Sequence, residues 1–505
     1  MKIRLYSKIF IIAALILSLF GSAAPVYGFE MGKAQPLLAE MAAQSPDQMV
    51  RVIVQKVAGT TGAESRVAAL GGKVTQDLHI INAFAAELSA KNAVQVSKAS
   101  SVRWVSLDAA MESSACSQCI DTSKLANAYI KAIRADQVWN KKPYIQGQGI
   151  GIAVIDSGVN PNGDLYTNMG VNRQVADIRF NSDYNQSPSD GYGHGTHVSG
   201  IIGGDGSESS GKYIGVAPMV NIINVKVSND DGSAMMKDVV LGLQWVLENK
   251  GTYNIRVANI SLNSAVAESY NTSPLDAAVE ILWFNGIVVV VSAGNKGSGT
   301  IYPPANDPFV ITVGAMDDKG TAAITDDQLA SFSAYGKIEN GSVKPDLVAP
   351  GKNIIARIVN LNMGLAGAHP ANIVGSQYFR MSGTSMAAPM VSGAVALLLQ
   401  DEPSLTPDQV KYRLMATANK SWNGYDAKKA GAGYLDILAA VNGTTSKSAN
   451  TGTLASQLLS TGSNPITWGS VGWNSVGWNT VGWNTVGWNT VGWNTVGWNS
   501  DYWDQ

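Results

Sequence analysis

The sequence predicts an α/β protein in which a doubly wound, mainly parallel sheet follows a small ferredoxin-like α+β unit, and three observations carry that prediction. Residues 131–443 alternate short strand-like runs with longer helix-like ones, the signature of strands joined through helices. Residues 47–108 give the order βαββαβ, the split βαβ of a ferredoxin-like unit. Two polar residues, Asp156 and Asn295, stand where strand-like runs end, and functional groups in such sheets collect beyond the carboxyl ends of the strands.

A chain of 505 residues has room for two or three domains. With 15% charged residues and a net charge of −2, it gives no reason to expect a nucleic-acid partner. At the N-terminus Lys2, Arg4 and Lys8 precede an apolar run over 9–20, broken only by Ser18, and then small residues as far as Gly28. This predicts a signal peptide over 1–28, cut after Ala24 or Gly28, because the run is too short for a membrane span. No second long apolar segment follows, so a secreted, extracellular protein is expected.

In the small unit, residues 51–57 alternate like a strand, and Thr61 with Glu64 has the spacing of a capping box before a helix closed by Gly71 and Gly72. Strands over 73–78 and 83–88, a helix over 91–98 and a last strand over 102–107 complete it. Residues 109–130 form a connector rich in Ala and Ser. Cys116 and Cys119 lie in it, and with no second Cys pair to complete a zinc site they are either a local disulfide or two idle thiols. In the large unit the strands are expected over 150–155, 221–227, 257–262, 287–292 and 310–313. Helices are expected over 195–202, 234–248 and 274–284, and Thr406 before Pro407 is an N-cap and first-turn pair for a later one.

The chemistry is organised around GTSMAAP, residues 383–389, where Ser385 stands ahead of an apolar run that reads as a buried helix. Gly383 allows a sharp turn, and the unpaired N–H groups of a helix start suit an oxyanion. A serine before an apolar helix is more often only a cap. Here, however, the base and orienting acid that a serine nucleophile needs are present upstream: His194 and His197 in HGTHVSG and Asp156 in IDSGV. The chain order is Asp, His, Ser.

With these three motifs in this order, the sequence resembles the subtilisin-like serine proteases, or subtilases. The resemblance implies that Asp156 orients the imidazole, His194 is general base and acid, and Ser385 is the nucleophile, while His197 matches a non-catalytic position. Asn295, ending VVVVSAGN, matches the side-chain oxyanion donor that acts with the Ser385 N–H. No cofactor is implied for catalysis. The resemblance further implies an inhibitor-type prodomain over 47–108, a self-cleavage site in the 109–130 connector and a subtilisin-like catalytic domain over 131–443. Proteins and peptides would be the substrates, and the prodomain an intramolecular inhibitor. Activity is expected to rise toward mildly alkaline pH as His194 becomes neutral.

By the same resemblance an extended peptide lies between segments 231–234 and 261–264, which assigns substrate contacts to Gly232, Ser233, Ser261, Leu262, Asn263, Ala293, Gly294 and Ile301. Asn263 and Ser264 stand where members commonly have two glycines, and Ile301 where a small residue often forms the base of the first specificity pocket. A narrowed pocket for small or medium apolar side chains is expected. The loop over 203–213 departs from the calcium-binding loop of secreted members; a structural calcium ion is left open and no metal ligand is assigned.

Beyond Asn442 the composition turns to Thr, Ser, Asn and Gly, a flexible linker over 444–467. A Trp-rich tail over 468–505 follows, in which [ST]VGWN repeats six times. A period of five makes no single stripe on a helix or strand, and a glycine in every unit favours a turn-rich ribbon. The tail is then disordered, a strap on the catalytic domain, an export or sorting signal, or an adhesive element whose indole rings hold the enzyme on the cell envelope or a polymeric substrate. The alternative to a protease is a surface-binding protein in which these repeats carry the function.

Overall fold

The computed structural model describes residues 32–109, 118–167, 170–181, 188–362, 364–459 and, as backbone, 495–498. The expected signal peptide lies outside them. The chain divides into two units, Met1–Cys116 and Ser117–Gln505.

The first unit opens with a helix the sequence reading did not anticipate, α1 (Pro36–Gln44), which buries Leu38 completely. Then come β1 (Met49–Lys56), α2 (Ala63–Ala69), β2 (Lys73–Leu78), β3 (Ala83–Ser89), α3 (Ala90–Ser97) and β4 (Val102–Leu107), the predicted βαββαβ. The sheet order is β2-β3-β1-β4, antiparallel at every pair. Alternation along β1 buries Val50, Val52 and Val54 and exposes Met49 and Arg51, as a one-sided sheet requires. The expected capping box is not formed. Gly62 caps α2 instead, and Glu64 accepts the Lys56 Nζ at 2.8 Å rather than reaching back to the helix start.

The second unit is built on an eight-stranded sheet. Its strands are β5 (Gly151–Asp156), β6 (Gln174–Arg179), β7 (Asn221–Lys226), β9 (Ile255–Ile260), β11 (Val288–Ser292), β12 (Ile311–Asp317), β13 (Gln328–Leu329) and β14 (Leu347–Pro350); β8 (Ala234–Met235) and β10 (Leu262–Ser264) stand apart from it. The order is β13-β12-β11-β9-β5-β7-β6, with β14 also on β12, and only the β12–β13 pair is antiparallel. All six residues of β5 are buried, as expected of a strand covered on both faces. The chain leaves β5 for β6 and β7 on one side and later returns to β9, β11 and β12 on the other, so the switch of strand order falls at β5, which ends at Asp156.

Five helices matter to the site: α4 (His194–Gly203), α5 (Met236–Asn249), α6 (Pro274–Phe284), α7 (Thr384–Asp401) and α8 (Pro407–Thr417). Buried on every side from Thr384 to Leu399, α7 packs against β9, β11, β12, β14 and α4. It starts six residues before the apolar run that announced it. Pro389 lies inside it and has no N–H to give to the Ser385 carbonyl one turn back; that carbonyl accepts the Ser261 hydroxyl instead, at 3.2 Å. At the head of α8 the expected Thr406–Pro407 pair is present and extended to a full capping box with Gln409.

Two expected boundaries shift. The expected linker is, over 444–459, part of the second unit: Asn450 donates to Asp408 at 2.7 Å, the Ser456 N–H donates to Glu280 at 2.8 Å, and Ala455 and Leu459 are buried. The expected connector belongs to the same core from Leu125 onward, with Tyr129 and Ile130 buried in it. Cys119 is disulfide-bonded; Cys116, the only other cysteine of the chain, lies outside the described residues.

Candidate active site

Asp156 is the last residue of β5, and both its carboxylate oxygens face His194 Nδ1, at 2.8 and 3.0 Å. Both side chains are fully buried. Oδ1 also accepts the N–H of Ser157 at 2.8 Å, so the carboxylate is fixed before it meets the imidazole. Paired in this way, Nδ1 carries the proton and Nε2 is left as the basic nitrogen. Close approach makes a glycine necessary at 195, where a Cβ would stand 2.1 Å from the Gly158 carbonyl oxygen and 2.9 Å from Asp156 Oδ1.

The start of α4 is held by a residue the sequence reading did not single out. Asp190 accepts from Ser157 Oγ (2.8 Å), the Gly193 N–H (2.7 Å), and the N–H and hydroxyl of Thr196 (2.8 and 2.7 Å). Burial raises its carboxyl above the ordinary carboxylate range, against the lowering effect of these donors. A carboxylate just ahead of a helix is a capping signal, and Asp190 stands four residues before His194. His197, one turn along α4, meets the Phe379 carbonyl through Nε2 at 2.9 Å, and burial pushes it down to about 3. A neutral imidazole donating to a main-chain carbonyl is a structural group.

Ser385 sits in the first turn of α7, not ahead of it, and Gly383 is the extended N-cap rather than a sharp turn. The Ser385 hydroxyl donates to the Ser261 carbonyl at 3.0 Å. Asn295 follows Gly294, whose φ of +105° turns the chain out of β11. Its Oδ1 accepts both the N–H and the hydroxyl of Thr384, at 2.9 and 3.0 Å. Its Nδ2 is buried and has no hydrogen-bond partner among the described residues. Amide orientation follows from the two donors of Thr384, so the orphan atom is a donor, next to the helix start that bears Ser385.

Beside Asn295 is a cavity of about 130 Å³, lined by Asn263, Ser264, Ala293, Gly294, Tyr302 and Ala334 among others. Ile301 does not line it; at 5% exposure it is packed in the main core, and the flanking Thr300 and Tyr302 face the cavity. Asn263 is held by a bond from its Nδ2 to the Ser292 carbonyl at 3.1 Å. Gly232 and Ser233 form the turn before β8, tied by Asp231, which accepts the Ser233 N–H and hydroxyl at 2.8 and 2.6 Å. Ser261 ends the expected 257–262 strand early, so that Leu262 opens β10 outside the main sheet. Among the expected residues, Asp156 meets His194, Ser261 meets Ser385, Asn295 meets Thr384 beside Ser385, and Asn263, Ala293 and Gly294 share the cavity with Asn295, whereas Ile301 lies in the core.

No group of three or more His, Cys, Asp or Glu among the described residues could hold a metal ion. The carboxylates near the 203–213 loop are engaged otherwise: Asp205 Oδ1 accepts the Ser207 N–H and Asp164 Oδ1 the Glu208 N–H.

Residues 147–434, more than half of the chain, match the model of the subtilase family, peptidase S8. The chain belongs to the subtilase family. Serine protease AprX of Bacillus subtilis is 39% identical over 64% of this chain and 73% of its own length. Subtilisin E of the same species is 30% identical over 73% of this chain and 83% of its own, and Subtilisin Savinase of Lederbergia lenta 33% over 54% and 85%. The solved structure of fervidolysin from Fervidobacterium pennivorans aligns with 79% of this chain and 61% of its own at a TM-score of 0.49 and 24% identity. This subtilase is accordingly a serine endopeptidase acting on proteins. Its doubly wound sheet and the small antiparallel unit before it are the fold the sequence predicted.

Proposed function

We propose that the subtilase is made as a secreted zymogen and cuts peptide bonds with Asp156, His194 and Ser385. The Ser385 hydroxyl attacks the peptide carbonyl, and His194 Nε2 takes its proton and returns it to the leaving amine. Asp156 holds the tautomer and stabilises the imidazolium. The tetrahedral oxyanion lies between the Ser385 N–H and Asn295 Nδ2, and water then resolves the acyl-enzyme. The observation that carries this reading is the buried Asp156–His194 pair together with an Asn295 amide that has no partner among the described residues, beside the start of α7. Labelling with a fluorophosphonate tests it. Wild type should label and Ser385→Ala should not; labelling at another residue would overturn the assignment.

The 47–108 unit acts in this proposal as the inhibitor and folding aid. Its sheet unit leaves apolar side chains in the open, Ile80 at 89%, Ile81 at 48% and Val74 at 38% exposure, which favours docking over independent life. The small cavity beside Asn295 supports a preference for small or medium side chains at the scissile residue, now set by Tyr302 and Ala334 rather than by Ile301. The adhesion reading gains nothing from the described part of the tail, which is engaged with the enzyme itself.

A further inference from the structure

The last repeat of the tail forms a strand, β15 (Thr495–Trp498), and this strand lies between β8 and β10. It is antiparallel to both. On one side Leu262 faces Trp498, Asn263 faces Gly497 and Ser264 faces Val496; on the other, Met235 faces Thr495 and Ala234 faces Val496. Val496 is therefore paired from both sides, as a residue of a central strand. The strands it joins are the two edges the catalytic reading assigns to an extended substrate. Its direction is also that of a substrate, because Trp498 stands opposite Leu262, the neighbour of Ser261, whose carbonyl accepts the Ser385 hydroxyl. The strand runs with its carboxyl end toward the nucleophile.

We propose that the [ST]VGWN repeats are a tethered ligand of the enzyme's own cleft, a Thr-Val-Gly-Trp strand that competes with substrate for the β8 and β10 edges. The proposal rests on the catalytic reading above only in calling that cleft the substrate site. Three features of the chain fit a competitor. An added strand pairs with β8 and β10 at once, a recognition mode in which the main chain supplies the affinity. Residues 460–494, fully extended, would span roughly 120 Å, ample to return from Leu459 to the cleft. A ligand on such a tether acts at an effective concentration on the order of millimolar, so that weak pairing suffices. Six copies of VGW raise the chance that one is in register, and a five-residue repeat gives the same segment whichever copy enters. A period with no helical or strand stripe is then no obstacle, since each copy needs to act only one at a time.

The test uses the full chain with the valine of every repeat changed, Val471, Val476, Val481, Val486, Val491 and Val496 each to Pro. Proline removes the N–H that a central strand must give and is excluded from such strands, while every tryptophan is kept. Preparations are matched by intact mass and by melting temperature. With a short fluorogenic peptide, KM should fall about three- to tenfold relative to wild type at unchanged kcat. Equal KM values would overturn the proposal. A second measurement needs no catalysis. In a Ser385→Ala background, calorimetry with the synthetic peptide TVGWNTVGWN should show binding to the proline variant and weaker binding to the unaltered tail, which already fills the cleft. The same peptide with Pro for Val should not bind. Equal binding of the two peptides would mean aromatic adhesion rather than strand pairing and would sink the idea. Failure of the catalytic reading would look different: Ser385 would not label, yet the peptide titration would still report whether β8 and β10 hold the strand.

Discussion

At the scale of single residues, the site depends on a few polar atoms held in advance of the reaction. Asn295 spends its carbonyl oxygen on Thr384, which leaves only its amide to give. Asn295→Ala should lower kcat by ~10²–10³, the loss known from subtilisin itself when its oxyanion donor is removed, with KM and melting temperature nearly unchanged. A comparable fall in KM-limited binding alone would argue against the oxyanion role. Asp190 works through others. Asp190→Ala strips an acceptor from four donors and should cost stability on the order of 2–4 kcal/mol, read in denaturant unfolding. It should also lower kcat by about 10- to 100-fold, because the helix that carries His194 loses its anchor. Ser385 labelling at a normal rate in that variant would show that Asp190 only supports the fold. Asp156, His194, Ser385 and Asn295 were legible in the sequence because each ends a strand-like run or stands in a short motif. Asp190 was not, because its role depends on four donors from three places that only folding brings together.

At the scale of elements, α8 carries a built-in pH dependence. Burial holds the Asp408 carboxyl up at about 6, against donations to Oδ1 from Trp283 (3.1 Å) and Asn450 (2.7 Å). A carboxyl raised by folding keeps its proton longer in the folded than in the unfolded state. Its burial therefore costs little in acid, and stability declines as pH rises from about 4, the unfolded value, to about 6, and is level above. Asp408→Asn keeps the acceptor and removes the charge. The stability gap between the variant and wild type should be near zero at pH 4 and grow in favour of the variant by on the order of 2–3 kcal/mol by pH 7, measured by urea unfolding. A gap independent of pH would mean that Asp408 is not protonated in the folded state. The element boundaries that shifted did so for reasons of the same kind. Ser261 leaves the sheet to meet Ser385, and Pro389 is tolerated inside α7 because Ser261 supplies the donor that proline lacks.

At the scale of the molecule, cleavage between the two units should fall before Leu125. From there the chain belongs to the core of the second unit, with Leu125, Asn127, Tyr129 and Ile130 buried, so the expected 109–130 window contracts to about 109–124. Purified wild type should lose its N-terminal unit with a new terminus in that window by mass spectrometry, and Ser385→Ala should remain one chain. A cut after Leu125 would contradict the packing. By itself the sequence determined the fold class, the ferredoxin-like order of the small unit and the family, and it singled out the groups of the proposed site, because periodicity, strand ends and short motifs are local properties. Only the tertiary structure decided that 444–459 is packed rather than a linker, that Ile301 is core while Tyr302 and Ala334 face the cavity, and that a strand of the tail pairs with both β8 and β10. Each of those depends on which distant segment supplies a partner for buried apolar surface or for an open row of main-chain groups, and no single stretch of sequence carries that information.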